Sequence, residues 1–177
     1  ANTTPPTITL TTDKSLLKAG DTALISFTLS ELATDFLLSD ITVTGGTLSN
    51  FSGSGMVYSA RFTPTQNSTA QGLVCVGNFK FSDIAGNANE DGADPNNRVY
   101  FVIDTLAPTI SISASKINLG INESPTITFS LSEPSTDFDS SDISVSGGTL
   151  SSFKGSGTSY SAVLTPTSTN DIFISVS

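Results

Sequence analysis

The chain has 177 residues and a formal net charge of −9 at pH 7, because sixteen Asp and Glu residues outnumber seven Lys and Arg residues. This charge argues against nucleic-acid binding, which needs a basic surface, and it favours cations as partners. A single cysteine excludes an internal disulfide, and the absence of histidine leaves no imidazole to activate that thiol.

The sequence predicts no membrane segment. No stretch approaches the roughly eighteen continuous apolar residues of a spanning helix. The start, Ala1 to Thr4, lacks the basic and apolar pattern of a signal peptide, so we expect any export signal to lie outside this chain. We therefore expect no membrane insertion.

Short runs of alternating apolar and polar residues predict half-buried antiparallel strands. Ile25, Phe27 and Leu29, for example, alternate with Ser26 and Thr28. Nothing predicts a helix. Glycine and asparagine tolerate positive φ, and they predict turns at Gly45-Gly46, Gly53-Ser54-Gly55 and Asn96-Asn97. The predicted strands of the first half lie at roughly 7–12, 22–30, 41–44, 47–51, 56–63, 71–82 and 97–103.

The first half of the chain returns in the second half. The segment from Pro6 to Pro64 corresponds without a gap to the segment from Pro108 to Pro166, at an offset of 102 residues. A period of about a hundred residues matches one small sandwich domain and is too long for a solenoid repeat. The predicted fold is all-β, with tandem immunoglobulin-like β-sandwiches of about seven antiparallel strands each. We place the two repeats at residues 1–104 and 105–177.

The second repeat is shorter than the first. If Ile174 and Val176 correspond to Val74 and Val76, the offset falls to 100, and the second repeat ends inside its penultimate strand. We therefore expect it to lack its last strand. A sandwich without that strand exposes a hydrophobic groove and a free sheet edge.

Five motifs link the chain to a known family. They are Pro-Thr-Ile-x-Leu, Ser-Glu-x-x-Thr-Asp-Phe, Asp-Ile-x-Val-x-Gly-Gly-Thr-Leu-Ser, Gly-Ser-Gly-x-x-Tyr-Ser-Ala and Asp83-Ile84-Ala85-Gly86-Asn87. Together they resemble the bacterial Ig-like repeats of giant surface adhesins, including biofilm-associated and RTX-type proteins. The resemblance implies extracellular, non-catalytic extenders that project an adhesive tip from the cell surface, commonly stiffened by calcium at or near the domain joints.

Acidic residues concentrate in two loops that an immunoglobulin topology brings to one pole. Glu31 and Asp35 follow the second strand, and Asp83 and Asn87 precede the last one. Calcium prefers six to eight oxygen ligands on flexible loops. We therefore predict a calcium site at Glu31, Asp35, Asp83 and Asn87. The alternative for the pair of Glu31 and Asp35, which recurs in the second repeat, is a repeated backbone cap.

A second calcium site is predicted at the joint between the repeats. Asp104 leads into the pole where Glu133 and Asp137 should lie, and like charges that close are costly without a cation. This site would lack its last loop in the present chain. Asp40 and Asp142 stand at strand starts, where an aspartate more often caps a turn.

The segment from Asn87 to Gly92 has the alternating oxygen ligands and the turn glycine of an EF-hand start. It fails as an EF-hand because Arg98 stands where the bidentate glutamate should be. Two interpretations stay open: a metal-binding loop, or a polar loop whose side chains cap backbone groups.

The one match to an enzymatic motif is not conserved between the two repeats. Ser113-Ala114-Ser115-Lys116 has the spacing Ser-x-x-Lys, but that chemistry needs the serine at a helix start. The corresponding segment of the first repeat is Thr11-Thr12-Asp13-Lys14. The match is therefore accidental, and we expect no catalysis.

Our leading hypothesis is a calcium-stiffened spacer of a large bacterial surface adhesin, whose partners are neighbouring repeats of the same polypeptide. The alternative is a filament subunit whose incomplete second domain accepts a strand from a like subunit. An adhesive tip domain comes last, because it should present exposed aromatic side chains on loops and the chain has no Trp.

Overall fold

A computed structural model describes residues 1–177. The chain forms two compact units, Ala1–Ala107 and Pro108–Ser177. Thr105 belongs to the first unit, since its hydroxyl donates to the carbonyl of Thr65 at 2.6 Å and accepts from the amide of Ser68 at 3.0 Å. The first unit therefore extends past the predicted boundary at residue 104.

The first unit is a sandwich of two sheets. Its strands are β1 (Ile8–Thr12), β2 (Leu16–Lys18), β3 (Ala23–Ala33), β4 (Ile41–Thr44), β5 (Gly46–Pro64), β6 (Gly72–Val76) and β7 (Arg98–Asp104). One sheet has the order β1-β3-β5 and the other the order β2-β7-β6-β4. Two short 3-10 turns, Leu38–Asp40 and Pro95–Asn97, precede β4 and β7. The predicted all-β sandwich is confirmed.

Three of the predicted strand positions are wrong. The strands expected at 47–51 and 56–63 form the single strand β5, because Gly53-Ser54-Gly55 makes an irregularity within the strand instead of a turn. The strand expected at 71–82 ends at Val76. Strand β2 was not predicted, and it pairs with β7 in parallel, so the sheets are not wholly antiparallel.

Alternating apolar side chains from the strands of both sheets fill the core of the first unit. The rings of Phe62 and Phe101 stack at a centroid distance of 4.3 Å and join the two sheets. Next to them Gly72 has no room for a side chain, since an added Cβ would lie about 3 Å from Ile103, Phe101 and Phe62. Strand β7 therefore packs closely against β6.

The second unit repeats most of this sandwich. Its strands are β8 (Ile110–Ala114), β9 (Thr126–Ser135), β10 (Ile143–Ser146), β11 (Gly148–Pro166) and β12 (Phe173–Val176). They form a three-stranded sheet, β11-β9-β8, and a two-stranded sheet, β10-β12. A 3-10 turn, Ser140–Asp142, precedes β10. No strand of residues 108–177 corresponds to β2 or β7.

Strand pairing establishes the correspondence between β12 and β6. Val176 pairs with Ile143 as Val76 pairs with Ile41. Because Ile143 follows Ile41 by 102 residues and Val176 follows Val76 by 100, the loop before β12 is two residues shorter than the loop before β6. The predicted change of offset is confirmed.

The irregularity in β5 supplies a test of the fold. Gly53 has φ of 132°, and an added Cβ would lie 2.3 Å from the carbonyl oxygen of Val57. Gly155 repeats this geometry with φ of 141° and the same 2.3 Å approach to Ser159. Gly20 also has positive φ, but nothing lies within 4 Å of its added Cβ.

We expect Gly53→Ala to lower the free energy of unfolding by at least about 2 kcal/mol more than Gly20→Ala, which carries only the left-handed backbone cost of about 1 kcal/mol. Urea unfolding of the full chain measures both. Equal costs for the two variants would show that β5 relaxes around the added methyl group.

Candidate functional site

An aromatic cluster builds the pole that carries the predicted metal ligands. The ring of Phe36 lies 5.0 Å from Tyr58 and 5.5 Å from Phe81, with Phe27 and Phe51 beside it. Burial raises the pKa of Tyr58, and its hydroxyl donates to backbone carbonyls. The phenylalanine of the Thr-Asp-Phe motif is therefore a core residue that holds its loop against the sandwich.

The second unit repeats this aromatic cluster except for Phe81. Phe138 lies 5.0 Å from Tyr160, the same distance as in the first unit. The hydroxyl of Tyr160 donates to the carbonyl of Ser135 at 3.1 Å. Nothing in the second unit corresponds to Phe81, and Phe138 is only partly buried where Phe36 is fully buried.

Asn2 bridges two of the predicted ligands. Its side-chain N–H group donates to Glu31 Oε2 at 2.7 Å and to Asp83 Oδ2 at 3.1 Å. Its carbonyl oxygen accepts the amide of Thr4, which fixes the orientation of the side chain. An amide therefore lies between two carboxylates, at a position where a cation would also reduce their repulsion.

Asp83 is the buried acid of this pole. Its carboxylate accepts the backbone N–H of Asn87 at 2.8 Å and the side-chain N–H of Asn87 at 2.8 Å. These hydrogen bonds, above all the one from the Asn87 side chain, lower the pKa of Asp83, although burial opposes the shift. Hydrogen bonds to the charged form thus stabilise the carboxylate without a metal ion.

Asp35 lies apart from this bridge. Both of its oxygens accept the backbone N–H of Ser82, at 2.9 and 3.1 Å. The structure thus brings Glu31, Asp83 and Asn87 together around Asn2, while Asp35 caps the neighbouring backbone. No group of three His, Cys, Asp or Glu side chains converges in the structure, and calcium binding at this pole stays a prediction.

The loop between β6 and β7 is organised by Asx side chains. Asn89 is fully buried, and its side chain accepts the amide of Lys80 at 2.7 Å and donates to the carbonyl of Gly77 at 2.8 Å. Asp91 accepts the amide of Ile8 at 2.8 Å, which ties the loop to β1. These side-chain to backbone hydrogen bonds agree with the interpretation of this segment as a polar loop whose side chains cap backbone groups.

The remaining predicted ligands are Asp104 in the first unit and Glu133 and Asp137 in the second. Asp104 accepts the amide of Leu106 at 3.3 Å. Asp137 accepts the hydroxyl of Ser135 at 2.7 Å, and Glu133 is partly buried. Calcium binding by these residues stays a prediction. In each unit an aspartate caps the 3-10 turn that precedes β4 or β10. Asp40 accepts the backbone N–H of Leu37, and Asp142 accepts that of Asp139.

Lys116 takes part in an ion pair that both repeats share. It pairs with Glu123, as Lys14 pairs with Asp21 at 2.8 Å. Each lysine lowers the pKa of its partner, chiefly by donating a hydrogen bond to the carboxylate. The lysine of the Ser-x-x-Lys sequence is thus part of the repeated scaffold.

Sequence reasoning missed Asn2, which the structure places at the centre of the pole. The signal was present, because Asn2 precedes Asp104 by 102 residues, the period of the repeat. Asn2 and Asp104 are therefore equivalent residues in the alignment of the two repeats.

A family profile described as a bacterial Ig-like domain matches residues 2–100 and again residues 104–177. Among solved structures, the Escherichia coli adhesin FdeC is similar at 13% identity and a TM-score of 0.46, over 90% of this chain and 55% of that one. Invasin, a bacterial integrin-binding protein, is similar at 16% identity and a TM-score of 0.43, over 94% of this chain and 36% of that one. The chain thus spans about half of the first structure and about a third of the second. No curated protein sequence matches it.

The hydrogen bonds of Asp83 predict a pH-dependent stability. Because its folded pKa lies below its unfolded value of about 3.9, the stabilisation is complete above that value and is lost as the pH falls through the folded pKa. In Asp83→Asn an NH₂ group replaces one carboxylate oxygen and opposes the N–H donors of Asn87 and Asn2. We therefore expect a lower melting temperature at pH 7.

Melting curves of the wild type and Asp83→Asn between pH 2 and 7 measure this effect. The difference between them should shrink below about pH 4, as Asp83 protonates. Asp94→Asn is the control, since Asp94 is exposed and its side chain makes no cap hydrogen bond. A pH-independent difference would show that the charge of Asp83 does not contribute.

Proposed function

The chain belongs to the family of bacterial Ig-like domains, and on that basis we propose that it is a non-catalytic spacer of a large bacterial surface adhesin. The supporting observation is that the residues shared by the two repeats build the fold. Phe36 and Tyr58 form the aromatic pole, Gly53 shapes β5, and Lys14 pairs with Asp21. The repeated residues therefore build the domain fold, and each further copy of the domain lengthens the polypeptide array.

The proposed location is extracellular, on the bacterial surface, and the proposed partners are neighbouring repeats of the same polypeptide. A domain array on a cell surface requires no basic patch, in agreement with the net charge of −9. The structure contains no helix that is long and apolar enough to cross a membrane.

We further propose calcium at the joints, because the period of the repeat places Asp104 in the position of Asn2. In the first unit the Asn2 amide donates to Glu31 and Asp83. An aspartate there replaces the N–H donor with a carboxylate, and carboxylates held close together favour a bound cation. Glu133 and Asp137 are the proposed ligands in the second repeat. In the first repeat the proposed ligands are Glu31, Asp35, Asp83 and Asn87, and calcium there would have to displace the N–H group of Asn2 from Glu31 and Asp83.

Tandem copies of residues 3–104 test the spacer role, since Asp104 of each copy then precedes the Glu31 and Asp83 of the next. We expect the maximum dimension from small-angle X-ray scattering to increase by a constant step per copy in millimolar calcium. The same array with Asp104→Asn is the matched control, because it restores the amide found at Asn2, and its dimension should not respond to calcium.

A dimension that does not grow with copy number would contradict the spacer role. Equal dimensions with calcium, with EDTA and with Asp104→Asn would contradict calcium stiffening alone and would leave the spacer role standing.

Asn2→Asp in the present chain tests the calcium chemistry directly. This change brings a third carboxylate to Glu31 and Asp83, so we expect the melting temperature of the variant to rise in millimolar calcium relative to EDTA, by mass action on the folded state. The wild type should respond less. Asn2→Ala, which removes the amide without adding a carboxylate, is the control. A variant whose melting temperature is the same in calcium and EDTA would remove the basis for a site at Asp104.

The alternative of a filament subunit assembled by strand donation stays a prediction. Within residues 108–177, strand β12 pairs with β10 on one side only, whereas β6 pairs with both β4 and β7.

A further inference from the structure

The first and last strands of the first unit connect to the rest of the chain at opposite poles of the sandwich. Strand β1 begins at the pole of Glu31, because Ile8 pairs with Leu29 near the end of β3. Strand β7 starts at the same pole, directly after the loop between β6 and β7, and ends at the other pole with Asp104. A pulling force between the two ends of this unit therefore acts along its strands.

Strands β2 and β7 receive this force from opposite ends. They run in parallel, with Leu16 opposite Val102 and Lys18 opposite Asp104. A force from the N-terminal side pulls β2 by its first residue, whereas a force from the C-terminal side pulls β7 by its last residue. The two strands are therefore loaded in shear, and all the contacts between them must break at the same time.

The contacts between β2 and β7 combine a backbone hydrogen bond with buried apolar side chains. The backbone N–H of Val102 donates to the carbonyl of Ser15 at 2.9 Å. Leu17 lies opposite Ile103, and both side chains are buried in the core. Sliding of one strand along the other would break the hydrogen bond and expose both apolar side chains together. Separation of the same strands from one end would break one residue pair after another.

The segments that lead into this strand pair are fastened to the unit. On the C-terminal side, the hydroxyl of Thr105 donates to the carbonyl of Thr65 at 2.6 Å, and its backbone N–H donates to the carbonyl of Ser68 at 3.0 Å. On the N-terminal side, β1 pairs with β3 along its whole length, and the side-chain amide of Asn2 donates to Glu31. A force on either end therefore meets hydrogen-bonded segments before it reaches β2 and β7.

We propose that the first unit bears tension, and that the parallel pair of β2 and β7 is the mechanical clamp that resists its forced unfolding. The proposal rests on the spacer function above, because a spacer between a cell and an adhesive tip transmits the force that pulls them apart. It assigns a role to β2, whose three residues pair with β7 alone.

Pulling the full chain in two directions with optical tweezers tests the clamp. Handles at Ala1 and Ser177 load β2 and β7 in shear. Handles on Ala19→Cys and Leu106→Cys, in a Cys75→Ser background, load the same strands from one pole and unzip them. Both attachment residues are exposed. We expect the rupture force of the first unit to be about threefold higher in shear, since three residue pairs break together instead of singly.

The length released at each rupture, roughly 3.5 Å for each residue, identifies the unit that has unfolded, because the two units differ in size.

A proline substitution tests the hydrogen bond of the clamp. Val102→Pro removes the N–H group that donates to Ser15, so we expect its rupture force in shear to fall towards the unzipping force. Val102→Thr is the matched control, because it keeps both the N–H group and the β-branched shape, and it should keep the wild-type force.

A second control separates mechanical resistance from overall stability. Ile41 lies on β4, at the edge of the sheet opposite to β2, and packs against the core. Ile41→Ala should lower the free energy of unfolding measured in urea with little change in the rupture force, because forced unfolding depends on the unfolding rate and not on the equilibrium.

Equal rupture forces in the two pulling directions would overturn the clamp, whether or not the proline variant folds. A folded Val102→Pro variant with the wild-type force would also overturn it and would assign the resistance to another strand pair. A loss of force in Ile41→Ala as large as in Val102→Pro would overturn it in favour of overall stability. None of these results affects the spacer role, which the scattering of tandem copies tests separately.

Discussion

Insertion of β7 between β2 and β6 is the interaction on which the first sandwich depends. It buries Phe101 and Ile103, and each such side chain contributes about 1.5 to 3 kcal/mol of transfer free energy. It also gives β2, which has only three residues, its one strand partner. The second unit shows the same sheet without this strand: β12 keeps one neighbour, the counterpart of β2 is not a strand, and the facing apolar residues stay partly exposed.

The acidic pole is built on this closed sandwich by side chains that first serve the fold. Phe36 anchors the loop that carries Asp35, next to Glu31 near the end of β3, and Asn89 organises the loop that carries Asp83. The carboxylates then meet N–H donors, with the Asn2 amide between Glu31 and Asp83. Calcium is therefore a proposal for the joints, where the repeat has Asp104 in place of that amide.

Much of the fold could be predicted from the sequence, because burial of one sheet face produces a period of two that is visible in rows such as Ile25, Phe27 and Leu29. Gly53 was misleading, since tolerance of positive φ is common to turns and to irregular strands. Strand β2 could not be predicted, because three residues show no periodicity and its partner lies more than eighty residues away.

The pole was only partly predictable. Sheet topology brings the end of β3, which carries Glu31, close to the loop of Asp83, and this could be inferred from the order of the strands. The hydrogen bonds that these acids accept could not be predicted, because they depend on backbone amides such as that of Ser82 and on Asn2, which lies outside both segments. Oxygen-rich loops that bind metal and those that cap backbone groups have the same composition.

The central claim is that one strand, β7, closes the first sandwich and protects β6, whereas residues 108–177 contain no strand at the corresponding edge of β12. Native-state hydrogen exchange of the full chain compares β6 with β12 residue by residue. We expect the amides of β6 to exchange only with global unfolding of the first unit, and those of β12 to exchange through local opening at a much smaller free energy. Equal protection of the two strands, at a concentration where the chain is monomeric, would contradict this account.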